Sequence, residues 1–133
     1  MDYFTPNSDI KIDMNESQVI IQLGSQLKFI DADYIFNEVD KITKYNESIT
    51  ILVVDVRKIR LIPNKATRNF SIFRLNSLKN IKNLEIIMNK GPSVINYLVK
   101  MKLQNKIEVP LLIIFDDKLP AEYISNSNNS IHK

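Results

Sequence analysis

The segment Ile49-Thr-Ile-Leu-Val-Val-Asp-Val-Arg-Lys-Ile59 decides how the chain is read. Its first six residues are apolar or β-branched without a break, so no polar face is left, the pattern of a parallel strand covered on both sides. The segment therefore predicts the centre of a sheet inside a layered domain. The apolar run stops at Asp55 and Arg57, opposite charges placed where the strand leaves the core. That rim is the first region to search for function.

The flanking chain supplies elements to pack around such a strand. Ile10, Ile12 and Met14 alternate with polar residues, predicting a half-exposed strand near an edge. Asn15-Glu-Ser17 turns it into Val19–Leu23, so the two are expected to pair as an antiparallel hairpin, with Gly24 ending the second. Asp31 is expected to cap a helix over about 31–45, stapled by Ile30 on Ile35, with Ile35, Val39 and Ile42 as its buried stripe and Asp40 paired to Lys44. Beyond the central strand, Asn64 caps a second helix. Its inward stripe is read as Ala66, Phe70 and Phe73, assisted by Ile72 and Leu75, while Lys65, Arg68, Arg74 and Lys79 face water.

Asn83–Met88 reads as a short buried strand. Asn89-Lys-Gly-Pro-Ser93 leads into a third helix with Val94, Tyr97, Leu98 and Met101 inward, since proline is tolerated in a first helical turn. Val109–Phe115 is the last strand, with Pro110 confined to its start. A short helix over Leu119–Ile124 closes the domain. The order β-β-α-β-α-β-α-β-α predicts an α/β fold with a mixed, mostly parallel five-stranded sheet and right-handed crossovers. Residues 1–124 form one domain in this reading, and the polar stretch 125–133 a disordered tail.

Composition narrows the function classes. The 133 residues include no Cys, which removes disulfides, thiolate nucleophiles and Cys-based zinc sites. The one histidine, His132, sits next to the chain end, so the usual nucleophile–base pairs have no base. Neither a signal-like start nor an apolar run near the roughly 20 residues of a membrane span is present, and the expected location is the cytoplasm. The net charge of +3 conceals a division: residues 57–106 hold twelve Lys or Arg against Glu85 alone, a balance of +11, leaving −8 for the remainder. Without interleaved aromatic or glycine-arginine motifs, this basic half reads as a solvated face or a surface for acidic proteins, and a nucleic-acid partner is not expected. The high content of Ile, Asn and Lys also matches an AT-biased genome.

The layout resembles the SpoIIAA-like fold of STAS domains (sulfate transporter and anti-sigma-factor antagonist), and the small bacterial proteins described as STAS/Sec14-like. The resemblance rests on the first hairpin, the strand Ile51-Leu-Val-Val-Asp-Val-Arg57, the Asn89-Lys-Gly-Pro-Ser-Val94 turn, and Pro110-Leu-Leu-Ile-Ile-Phe-Asp-Asp117 before the closing helix. It implies a non-enzymatic regulatory or protein-interaction module, acting on a protein partner or a second copy of the chain. Anti-sigma-factor antagonists carry a phosphorylatable serine after the central strand. Here the matching stretch Val56–Asn64 has neither Ser nor Gly, so that switch is not expected.

Two candidate surfaces follow. The first is an interaction face of Lys65, Arg68, Arg74, Lys100 and Lys102. The second is a small-ligand or nucleotide site beyond the carboxyl ends of the parallel strands, using Asp55, Arg57, Lys90, Gly91, Ser93, Asp116 and Asp117. Asp55, Asp116 and Asp117 are donors of the type Mg²⁺ takes, yet Lys90–Ser93 is no P-loop, and neither metal nor cofactor is expected. The plain alternative is a rim ion pair between Asp55 and Arg57.

Overall fold

A computed structural model describes residues 5–89 and 106–115. Within them the chain runs β1 (Lys11–Met14), β2 (Gln18–Gln22), α1 (Phe29–Tyr45), β3 (Ile51–Asp55), α2 (Lys65–Ser77), β4 (Asn83–Met88) and β5 (Leu111–Phe115). One five-stranded sheet has the order β1-β2-β3-β4-β5, with β1 antiparallel to β2 and every other pair parallel. The strand expected at the centre is the middle one of five. The third helix, the closing helix and the polar tail read from the sequence lie outside the described residues.

Because strand order follows chain order, right-handed crossovers put α1 and α2 on the same face. Register then sorts the side chains. Val19, Ile21, Leu52, Val54, Leu84 and Ile86 face the helices, and most of them are fully buried with Ala32, Ile35, Phe36 and Val39 of α1. Ile20, Val53, Glu85 and Leu112 form a cross-strand row on the opposite face. Along that row Val53 is wholly buried while Leu112, on β5, is 56% exposed. The central strand is thus interior on both faces, which is why its sequence carries no alternation.

Three local expectations are corrected. Helix α1 begins two residues earlier than expected, with Lys28 at the N-cap, so Asp31 is its third residue. There the buried Asp31 carboxylate accepts the Lys28 N–H through Oδ2 and the Asn7 N–H through Oδ1, both at 2.8 Å. Ile30 consequently lies inside the helix, and the half-buried Leu27 takes the position before the cap. Asp40 pairs with Arg74 of α2 at 2.6 Å instead of with Lys44.

Helix α2 is capped as expected, Asn64 Oδ1 accepting from the Thr67 N–H at 2.8 Å, but it is turned differently on the sheet. Thr67 is fully buried, Ala66 is exposed and Phe73 is 68% exposed. Arg74, expected in water, lies between the helices with its guanidinium 5.5 Å from the Phe36 ring centre and 5.7 Å from that of Phe70. The Arg stem and its ring contacts do the work of an apolar residue, while Asp40 takes the charge.

Candidate functional site

The carboxyl ends of β2, β3 and β4 are adjacent, so whatever follows them meets at one rim. Asp55 ends β3 and is buried. Arg57 folds back on it in a two-pronged contact, Nε to Oδ1 at 2.9 Å and Nη2 to Oδ2 at 2.6 Å, and its backbone N–H also donates to Oδ1 at 3.1 Å. This fork-on-carboxylate geometry fixes the direction in which the chain leaves the central strand.

Neighbouring strand ends are tied to the same turn. Asn89 Nδ2 donates to the Arg57 carbonyl at 2.9 Å, and the Val56 N–H to the Ile87 carbonyl at 2.9 Å. From the other side the Leu23 N–H donates to the Asp55 carbonyl at 3.1 Å, and the Arg60 N–H to the Ser25 carbonyl at 3.0 Å. Asp9, Gly24, Ser25, Arg57, Lys58 and Arg60 line the shallow polar depression that results. At Gly24 a Cβ would come within 3.0 Å of both Asn7 and Asp9, so glycine permits the N-terminal segment to close this end of the rim.

Of the residues expected at a ligand site, Asp55 and Arg57 are brought together, as the rim ion pair. Lys90, Gly91, Ser93, Asp116 and Asp117 lie outside the described residues. Ser25, Lys58 and Arg60 were missed. Their signal was available: β2 is parallel to β3, so its exit at Leu23-Gly24-Ser25 belongs to the same rim as the exits of β3 and β4. Among the described residues no group of three His, Cys, Asp or Glu side chains is gathered as metal ligands.

The basic interaction face is more engaged than its sequence suggests. Lys65 is exposed. Arg68 is half-buried and donates through Nη1 to the Pro63 carbonyl at 2.7 Å, and the Arg74 side chain retains only 17% exposure in its pair with Asp40. Lys100 and Lys102 lie outside the described residues. Beside Lys65, the connection from β3 to α2 leaves Leu61 61% and Ile62 47% exposed.

No family model matches the sequence, and no curated protein matches it. Solved structures do match in shape, among them two forms of one protein. One is the anti-sigma factor antagonist SpoIIAA in its unphosphorylated form, with TM-score 0.55 and 10% identity, covering 90% of this chain and 97% of that one. The other is the Bacillus cell fate determinant SpoIIAA in the phosphorylated form, with TM-score 0.54 and 10% identity over 89% and 98% of the two chains. Among the described residues no helix is long and apolar enough to cross a membrane. With the mixed five-stranded sheet, its initial hairpin and the crossover helices on one face, the chain has the SpoIIAA-like fold of STAS domains.

Proposed function

We propose that this chain is a non-enzymatic STAS-type regulatory module that docks onto a cytoplasmic protein partner through the connection between β3 and α2. The observation that carries the reading is the pair Leu61 and Ile62, adjacent and largely exposed on the turn that the Asp55–Arg57 clamp holds in place, next to the cation Lys65. Apolar side chains beside a positive charge suit a partner with an apolar patch edged by acidic residues. A structural relative is described as an anti-sigma factor antagonist, which is a protein-directed role.

Control by phosphorylation differs in this proposal. Another relative exists in a phosphorylated form. Here residues 56–64 contain no hydroxyl side chain, and Thr67, the first one in α2, is wholly buried. Docking therefore operates without a phosphate on this turn.

The test is a double substitution, Leu61→Asp with Lys65→Glu. Both positions are surface sites, where such changes shift stability by about 0.5 kcal/mol or less. The expected result is an unchanged circular dichroism spectrum and melting temperature with at least a tenfold loss of affinity, on the order of 1.4 kcal/mol or more, for the partner captured by the native chain. Equal capture by the variant rules out this surface.

A second reading rests on Arg57, Lys58 and Arg60 lining one depression with Ser25. With Arg57 paired to Asp55 and Asp9 on the same wall, Lys58 and Arg60 still give these parallel strand ends a positive balance that suits an anionic small ligand such as a nucleotide. A melting temperature that rises with millimolar nucleotides or phosphorylated metabolites supports it, and an unmoved one discards it.

A further inference from the structure

The helices and sheet do not meet completely. Between them lies a cavity of about 170 Å³, walled among the described residues chiefly by Leu23, Ile35, Phe36, Leu52, Leu75 and Ile86. Ile59, Ile62 and Pro63, on the connection that leads from β3 into α2, line it as well. Among the described lining side chains two are polar, Ser71 and Arg68. Both are engaged: the Ser71 hydroxyl donates to the Thr67 carbonyl at 2.8 Å and Arg68 Nη1 to the Pro63 carbonyl at 2.7 Å.

A water molecule needs two to four polar partners to be held in such a space, and the described wall offers almost none. Poorly hydrated walls lack contact partners on one side, and an apolar guest of matching size restores them. An enclosed apolar cavity of about 150 Å³ takes up benzene. Accordingly, we infer that the space between the sheet and helices α1 and α2 is a binding site for a small uncharged apolar molecule, from a single six-membered ring to about the size of indole. A carboxylate or phosphate on the guest is disfavoured, because apart from Arg68 this wall offers no group to pair or solvate the charge.

The site shares Ile62 with the docking surface, but its other walls belong chiefly to the sheet and the two helices. Its test is a titration of the full-length protein with benzene and with indole, followed by the methyl resonances of Ile35, Leu52, Leu75 and Ile86. Saturable shifts at these methyls, with a melting temperature raised by about 4–6 °C at ten times the dissociation constant, are expected. Benzoate should bind more weakly than benzene. Two variants fill the space from different walls, Ala32→Leu from α1 and Ser71→Leu from α2, and whichever retains the native spectrum should bind benzene at least tenfold more weakly. The inference is overturned by absence of saturable shifts up to the solubility of benzene, by binding of benzoate as tight as that of benzene, or by undiminished binding in a folded filled variant.

Discussion

Val53→Asp is expected to remove on the order of 5 kcal/mol of stability at neutral pH and 25 °C, whereas Leu112→Asp, in the same cross-strand row, is expected to remove about 1 kcal/mol or less. Val53 is wholly buried on the sheet face opposite the helices, and Leu112 is more than half exposed. A carboxyl forced into a fully buried position has its pKa raised by about 3–5 units, so at pH 7 it is buried largely in its neutral form at a cost of about 4 kcal/mol, to which the lost burial of the valine side chain adds about 1–3 kcal/mol. Domains of this kind are stable by about 5–15 kcal/mol, so one such substitution removes a large share of the margin. At Leu112 the introduced charge stays hydrated and the loss is about 1 kcal/mol or less. Urea unfolding followed by circular dichroism measures both. Similar losses in the two variants would mean that the two positions do not differ in burial, contrary to the placement of β3 inside the sheet.

Asp31→Ala carries the other large effect. Its carboxylate satisfies two backbone donors, the Lys28 N–H at the start of α1 and the Asn7 N–H from the N-terminal segment. Each is a charge-assisted bond at a buried group, and losing both costs about 2–4 kcal/mol. Asp31→Asn keeps an acceptor but not the charge that favours a helix N-terminus, so about half of the loss should return. Amide exchange distinguishes this from general destabilisation: in the alanine variant Asn7 exchanges faster by more than the global loss explains. A loss under about 0.5 kcal/mol would show that the two donors find other partners.

The fate of Asp31 also shows where sequence reading is sharp and where it blurs. An aspartate near a helix start signals that start whether it stands at the cap or three residues in. What selects the inner position here is a donor 24 residues away, Asn7, and no local pattern contains it. The central place of β3 and the edge place of β1 were legible because β3 is apolar up to Asp55 and β1 alternates, a contrast that their depth in the sheet produces. The capping of α2 by Asn64 and the pairing of Asp55 with Arg57 were legible too, since each needs only neighbours in the chain.

The inward face of α2 was misread for the opposite reason. Periodicity assigned Phe73 to the core and Arg74 to water, yet the helix is turned by its partner: Phe36 and Asp40 of α1 accept the stem and the charge of Arg74. At the rim, Ser25, Lys58 and Arg60 were overlooked because they follow strand ends whose adjacency is a property of the sheet. The apolar cavity left no trace in the sequence. It arises from how far apart two layers are held, and apart from Arg68 and Ser71 the described residues lining it are apolar.

Both proposed sites lie at or beside the exit of β3, so the account stands on β3 having a parallel neighbour on each side. The direct measurement is a set of backbone proton–proton Overhauser contacts from an isotope-labelled sample. Val53 should show interstrand contacts both to the Ile20 region of β2 and to the Glu85 region of β4, in parallel register. Contacts to one side alone, or the sequential pattern of a helix through Ile51–Asp55, would contradict it.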